Sequence, residues 1–204
     1  MTWAGRPASL KDVALSSIRT KHWTRVEYER LVELGAFPPG ERIELVGGAL
    51  LVREPQGSPH ATAVGLAEDA LREAFGTGWT VRGQMPIALD DDSEPEPDIA
   101  VVAGPRRDYR HGHPAHPVLI VEVADSSLEL DRRVKASLYA RARIVDYWIV
   151  NLVEEAVEVY RDPVAAMDAP YGWRYGSTVT LRAGNDVMPL ALPGTALAVS
   201  DFLP

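Results

Sequence analysis

The stretch from residue 117 to residue 151 constrains the fold more than any other part of the chain. It reads PVLIVEVADSSLELDRRVKASLYARARIVDYWIVN, and every residue from Pro117 to Val123 is apolar except Glu122. Such an apolar run predicts a strand covered on both faces. The rest of the stretch predicts a turn, an amphipathic helix from Asp131 to Ala142 and a second buried strand. A carboxylate in a covered strand is costly unless a cation neutralises it or it reaches water. Glu122 is therefore the first candidate for a functional residue.

Two other charged residues are expected beside Glu122. Lys135 lies one turn after Asp131 in the predicted helix, at the edge of the apolar stripe, so its ammonium can reach the Glu122 strand. Asp98 opens a further apolar run, IAVV. Carboxylates are the ligands that Mg²⁺ prefers, with Mn²⁺ as the expected substitute, and an ammonium can stabilise the charge that develops on a phosphoryl group. The pattern thus predicts Asp98, Glu122 and Lys135 as catalytic residues of a metal-assisted hydrolase, with Asp98 and Glu122 as the metal ligands.

A simpler interpretation stays open at this point. Asp98 could cap a strand, while Glu122 and Lys135 form an ordinary salt bridge. Lys135 could also pair with Asp131 on an exposed helix surface, where such a pair contributes about 0–1 kcal/mol and Lys135→Ala is nearly silent. If the two carboxylates do lie together without a metal, at least one of their pKa values is expected to rise.

The remaining patterns predict a single α/β domain with a mixed sheet. A helix with a capping box is predicted from Thr24 to Gly35, a hairpin around Gly47-Gly48, and a helix from Ser58, as its N-cap, to Phe75. Alternating apolar residues predict a strand from Trp79 to Leu89, and further strands are predicted near residues 156–161, 173–181 and 186–190. We expect residues 1–21 to form an N-terminal arm and residues 22–204 to form the domain.

Composition excludes several classes of protein. The chain has no cysteine, which excludes disulfides and thiolate metal sites and is compatible with a cytoplasmic location. No run approaches the roughly 18 apolar residues of a membrane span, and the N-terminus lacks the apolar core of a secretory signal. The net charge of −8 argues against nonspecific attraction to nucleic acid. Residues 131–143, with five Lys or Arg against one acid, are a local exception.

Several of these runs together resemble a known family. EPDIAVV, LIVEVADSSLELDRRVKASLYARARIVDYWIVNL and VEVYRDP closely resemble the Uma-two family of restriction-endonuclease-like proteins, in the PD-(D/E)XK nuclease superfamily. ERIELVGG, GSPH and QMPIAL resemble its N-terminal pattern, so the resemblance covers about residues 22–203. It implies a restriction-endonuclease-like mixed β-sheet core flanked by helices, with an N-terminal helix and hairpin. It also implies that Asp98 and Glu122 bind metal and that Lys135 replaces the strand lysine that is missing at Ala124.

The chain departs from the family pattern at two places outside these three residues. Gly47-Gly48-Ala49 stands where the family often has Asp-Gly-Glu, and Arg143 stands where a glycine usually precedes the second strand. The first departure removes two acids from the hairpin. The second is expected to be a variation of the turn.

The resemblance implies a Mg²⁺-dependent nuclease that hydrolyses phosphodiester bonds in DNA. The alternative is a catalytically inactive, nuclease-like module that binds nucleic acid or a protein partner. Exposed strands predicted near the C-terminus are compatible with a homodimer. Two further groups of site residues are predicted: ancillary residues Glu44, His60, Gln84 and Asp131, and phosphate-binding residues Arg106, Arg107 and Arg110 in a loop that in most proteins would only be solvated.

Overall fold

A helix, a hairpin and a longer helix precede the main sheet in the computed structural model, which describes residues 19–204. Most of the predicted arm, residues 1–21, lies outside the described residues. These first elements are α1 (Arg25–Glu33), β1 (Arg42–Val46), β2 (Ala49–Arg53) and α2 (Ser58–Phe75).

Both helix starts predicted in this part of the chain are present, one of them shifted by a single residue. The Thr24 hydroxyl accepts a hydrogen bond from the Glu27 N–H, and the Glu27 carboxylate accepts one from the Thr24 N–H, which is the predicted capping box. The N-cap of α2 is Gly57 rather than the predicted Ser58. Pro59 is compatible with this shift, because the N–H groups of the first helical turn lack intrahelical partners and proline is tolerated throughout that turn.

A six-stranded mixed sheet forms the centre of the fold. Its strands are β3 (Trp79–Gly83), β4 (Ile99–Ala103), β5 (Leu119–Ala124), β6 (Asp146–Asn151), β7 (Ala156–Ala165) and β8 (Trp173–Arg182), and they neighbour one another in that order. β5 and β6 are parallel, and all other neighbours are antiparallel. The parallel pair requires a crossover, which the amphipathic stretch between them provides. The predicted α/β fold with a mixed sheet is confirmed.

The two faces of this sheet are both covered. α2 packs its Ala67 and Leu71 on one face, against Val121 and Trp148. A short helix, α3 (Ala136–Arg141), covers the other face and buries Leu138 and Tyr139 beside Ile120 and Tyr147. Because both faces of β5 are buried, the prediction from its apolar run is correct, and its Glu122 is only 1 % exposed.

The strand predicted from Trp79 to Leu89 ends instead at Gly83. Gln84 has a φ of +51°, which breaks the extended backbone. Ile87 and Leu89 are nevertheless buried, against the α3 face of the sheet. The alternation of apolar residues in this part of the sequence therefore arises because an irregular segment buries Ile87 and Leu89, and not because the segment is a strand.

The C-terminal strands also differ in length from their predictions. β7 and β8 each have ten residues and extend beyond the predicted 156–161 and 173–181. Cross-strand pairing continues to Ala165 opposite Trp173. The strand predicted over residues 186–190 is reduced to a two-residue β9 (Asp186–Val187), which pairs with β10 (Leu197–Ala198).

The helix predicted from Asp131 to Ala142 has two parts. Leu130–Lys135 is π-helical and runs directly into α3. The chain then turns at Arg143 with a φ of +63°, a conformation that glycine adopts without strain. The guanidinium of Arg143 lies 3.9 Å from the centre of the Trp173 ring, a cation–π contact that favours this arginine at the turn. Within residues 19–204, no helix is both long enough and apolar enough to cross a membrane.

Candidate active site

A cleft of about 350 Å³ opens where the hairpin, the start of α2, the end of β5 and the π-helical segment meet. Both metal ligands predicted from the sequence and the predicted lysine line it. The charged side chains that line the cleft are Glu44, Arg53, Glu54, His60, Asp98, Glu122, Asp125, Asp131 and Lys135.

Asp98 and Glu122 face one another across two neighbouring strands. β4 and β5 are antiparallel with Ile99 opposite Val121, which places Asp98 opposite Glu122. The Asp98 N–H donates to Glu122 Oε2 at 3.2 Å, and the Val123 N–H donates to Asp98 Oδ2 at 2.9 Å. The sheet register itself therefore brings the two carboxylates together.

Asp98 is held as a carboxylate by its partners. Arg53 Nη2 lies 2.8 Å from Asp98 Oδ1, and His60 Nε2 lies 3.3 Å from Oδ2. Gln84 Nε2 donates to Oδ1 at 3.2 Å. Burial alone would raise the pKa of Asp98, but the hydrogen bond from His60 and the charge of Arg53 outweigh burial and hold the pKa well below its usual range.

Glu122 behaves in the opposite way. Burial raises the pKa of Glu122 to about 7, and the negative charges of Asp98 and Asp131 add to the rise, although the Lys135 ammonium opposes it. Its Oε1 accepts hydrogen bonds from Lys135 Nζ at 3.0 Å and from the Tyr139 hydroxyl at 2.7 Å. The pKa of one of the two adjacent carboxylates is thus raised, mainly by burial and further by the negative charge of the other.

Lys135 lies at the centre of a group of acids and not on an exposed helix surface. It is 3 % exposed, and its Nζ lies 3.0 Å from Glu122, 3.6 Å from Glu44 and 3.8 Å from Asp131. Burial would lower the pKa of Lys135, but these carboxylates outweigh burial and raise it, so the side chain is a buried ammonium. The alternative that Lys135 pairs with Asp131 on an exposed helix surface is therefore wrong, because the two side chains approach one another in a buried site.

The cleft carries more negative than positive charge. Four buried carboxylates converge there (Glu44, Asp98, Glu122 and Asp131), against the charges of Lys135 and Arg53 and a His60 whose pKa is raised. All the candidate ligands are oxygen donors, which suit a hard cation such as Mg²⁺. No group of three or more His, Cys, Asp or Glu within residues 19–204 has the arrangement of a metal site. Two carboxylates are still compatible with Mg²⁺, which commonly uses one or two and keeps several waters.

Comparison with known proteins identifies the family and the fold of the chain. The model of the Uma2 family, described as "Putative restriction endonuclease", matches residues 25–200. The chain belongs to the Uma2 family. Among solved structures, a "putative nuclease belonging to DUF820" from Anabaena variabilis has the same fold, with a TM-score of 0.61 and 16 % identity, over 84 % of this chain and 96 % of that one. No curated protein matches. The family resemblance and the restriction-endonuclease-like fold expected from the sequence are both confirmed.

The four ancillary residues predicted for this Uma2 chain all belong to the network around the central three. Glu44 and Asp131 approach Lys135, and His60 and Gln84 bind Asp98. Their catalytic roles stay predictions, as do those of Asp98, Glu122 and Lys135.

The three arginines predicted to bind phosphate lie elsewhere in the Uma2 fold. Arg106 and Arg107 begin a short 3₁₀ helix just after β4, and Arg110 follows it. Asp98 precedes β4, so these arginines follow the opposite end of that strand, and none of them lines the cleft. Their contact with phosphate stays a prediction.

Two residues of the network were not predicted from the sequence. Arg53 ends β2, and Tyr139 lies in α3. Tyr139 follows Lys135 by one helical turn, and this spacing was the available signal, since it places the hydroxyl and the ammonium on one side of the helix. No comparable signal exists for Arg53, because its contact with Asp98 joins residues 45 positions apart.

Proposed function

We propose that this Uma2 protein is a divalent-metal-dependent nuclease that hydrolyses phosphodiester bonds in DNA. The observation that carries the proposal is the juxtaposition of Asp98 and Glu122 across β4 and β5, with Lys135 Nζ 3.0 Å from Glu122. Membership of a family described as a "Putative restriction endonuclease" supports the class of reaction.

In this proposal Asp98 and Glu122 hold Mg²⁺, or Mn²⁺ in its place. A bound divalent ion would polarise a phosphoryl oxygen and lower the pKa of its water. Both carboxylates are anchored through backbone N–H groups of the opposite strand, so their positions are fixed before metal binds. Asp98 stays ionised through His60 and Arg53.

Lys135 has two roles in the proposal. It keeps a positive charge beside Glu122, which opposes the rise in the Glu122 pKa and favours the ionised ligand. It also provides an ammonium at the cleft wall that can stabilise the negative charge developing on the phosphoryl group. His60 and Asp131 act indirectly in this proposal. His60 positions the metal ligand Asp98, and Asp131 lies beside the Lys135 ammonium.

The test is cleavage of single- and double-stranded DNA with Mg²⁺ and with Mn²⁺. We expect metal-dependent cleavage by the wild type and a loss on the order of 10²-fold or more in Glu122→Gln and Lys135→Ala. Lys21→Ala is the matched control, because Lys21 is an exposed lysine paired with Glu27, outside the cleft. Absence of metal-dependent cleavage by the wild type, or equal cleavage by all variants, would contradict the proposal.

A specific observation favours a second candidate, the inactive binding module. Every oxygen of Asp98 and Glu122 already has a donor from the protein, and Arg53 provides a cation beside Asp98. Such a site could be stable without metal and bind nucleic acid or a protein partner only through its surface. Metal titration separates the two candidates, because an inactive module need not bind Mg²⁺.

Two further expectations belong to this proposal. A homodimer is proposed from the sequence, and β8 is an edge strand of the main sheet. Light scattering after size-exclusion chromatography tests it, with a single species of about 22 kDa as the contradicting result. A cytoplasmic location is proposed from the absence of cysteine.

A further inference from the structure

Arg53 is the one arginine that lines the cleft within the described part of the chain. It ends β2, and its side chain is only 14 % exposed. Its Nη2 donates to Asp98 Oδ1 at 2.8 Å, and its Nη1 donates to the carbonyl oxygen of Glu96. Both ends of the guanidinium are therefore occupied, and one of them holds a proposed metal ligand.

The surroundings keep Arg53 charged and in place. Burial would lower its pKa, but the negative charges of Glu122, Asp98 and Glu44 outweigh burial and raise the pKa. A planar guanidinium with two donors in fixed positions is well suited to a carboxylate and a carbonyl oxygen together. Among the cationic side chains of the described residues, Arg53 makes the shortest contact with Asp98, and its charge compensates part of the negative charge of the cleft.

A divalent cation at Asp98 and the guanidinium of Arg53 carry charges of the same sign. They would interact with the same buried carboxylate, where repulsion between like charges is stronger than in water. Asp98 Oδ1 also accepts from Gln84, and Oδ2 accepts from the Val123 N–H, so few acceptor positions remain. The two cations are therefore expected to exclude one another at Asp98.

We propose that Arg53 is a built-in counter-cation of Asp98 that competes with the divalent metal and so sets the metal affinity of the site. This inference rests on the metal site of the proposed function. Only molecules in which Asp98 is free of Arg53 can bind the metal. The apparent dissociation constant is therefore the intrinsic one divided by the fraction of such molecules. If that fraction is about one in ten, removing the guanidinium tightens metal binding about tenfold.

The experiment is calorimetric titration of the full chain with MgCl₂ and with MnCl₂. Arg53→Gln is expected to lower the dissociation constant by about tenfold or more relative to the wild type. Arg30→Gln is the matched control, because Arg30 is an exposed arginine of α1 that pairs with Glu33 and does not line the cleft. It should bind metal as the wild type does.

Two more variants make the outcomes distinguishable. In Asp98→Asn metal binding should be lost, and if it persists at wild-type affinity the metal site and the proposed function fail together. If binding depends on Asp98 but Arg53→Gln binds metal no more tightly than Arg30→Gln, only this inference is overturned. Should Arg53→Gln fail to fold by circular dichroism, Arg53→Lys provides the test. Its ammonium lacks the planar fork and holds Asp98 less well, so metal should bind more tightly than in the wild type, and unchanged or weaker binding would overturn the inference.

Discussion

Replacing Lys135 by methionine should strongly destabilise the protein, whether or not the protein is a nuclease. Lys135 is 3 % exposed, and three carboxylates lie within 4 Å of its Nζ. Removing one partner of a buried ion pair typically costs about 3–5 kcal/mol, because the remaining charge stays buried and uncompensated. For a chain of this size each kcal/mol corresponds to roughly 2–4 °C, so the melting temperature should fall by about 6–20 °C.

The assay is urea unfolding at pH 7.5, with a double-mutant cycle that includes Glu122→Gln. Methionine keeps much of the volume of the lysine side chain, so the loss of stability reports mainly the loss of the ammonium charge. In the double variant the closest buried carboxylate is also neutral, so it should be more stable than the sum of the single variants predicts, by about 0.5–3 kcal/mol. Lys21→Met, at an exposed ion pair, should cost no more than about 1 kcal/mol.

Acid should reduce the effect of Lys135→Met. Burial already raises the pKa of Glu122 to about 7 in the presence of the ammonium, and loss of the ammonium raises it further. Near pH 5 the Glu122 carboxyl is neutral in the wild type as well as in the variant, so the substitution no longer forces this group to bind a proton that the wild type lacks. A loss below about 1 kcal/mol at pH 7.5, or additive effects of the two substitutions, would refute the reasoning.

Three other predictions concern the site and its surroundings. Mg²⁺ or Mn²⁺ at 100 times its dissociation constant should stabilise the protein by about 2.7 kcal/mol and so raise the melting temperature by about 5–10 °C. Asp98→Asn should abolish this rise, and an equal rise in the wild type and in Asp98→Asn would place the ion elsewhere. Tyr139→Phe should cost about 1.5–3 kcal/mol in chemical denaturation, because its buried hydroxyl donates to Glu122, whereas a loss below 0.5 kcal/mol would show that this hydrogen bond contributes little. Burial, with Glu29 beside it, raises the pKa of Glu94 from 4.5 to about 7, so its contribution to stability is full below pH 4.5 and lost as the pH rises through 7. Glu94→Gln should therefore lose less unfolding free energy than the wild type between pH 5 and pH 8, by up to about 3 kcal/mol, and parallel pH profiles would contradict this.

The central part of the site could be predicted because its signals are local. Glu122 interrupts an apolar strand, and Lys135 follows at a helical spacing that returns its side chain to that strand. Asp98 could be added because it begins a second apolar run, and antiparallel pairing of the two strands brings it opposite Glu122. The burial of Lys135 was not predicted, because it depends on Glu44 approaching from the hairpin.

The parts that sequence could not provide depend on backbone conformation or on distant contacts. The π-helical segment from Leu130 to Lys135 was not predicted, because a π-helical turn is defined by its backbone hydrogen bonds, which the sequence pattern does not report. The end of β3 depends on the positive φ of Gln84, which apolar alternation does not report. Arg53 reaches Asp98 only after the hairpin has packed against the main sheet, and no spacing in the sequence records that contact.

The most direct test of the metal site is anomalous diffraction from crystals of the wild type soaked in Mn²⁺. We expect one strong peak between Asp98 and Glu122, on the order of 2.0–2.6 Å from a carboxylate oxygen of each, with the Arg53 guanidinium moved away from Asp98. A crystal with Mn²⁺ bound only at other carboxylates, such as Asp90 and Asp92, or with Arg53 still bound to Asp98 and no peak in the cleft, would contradict it.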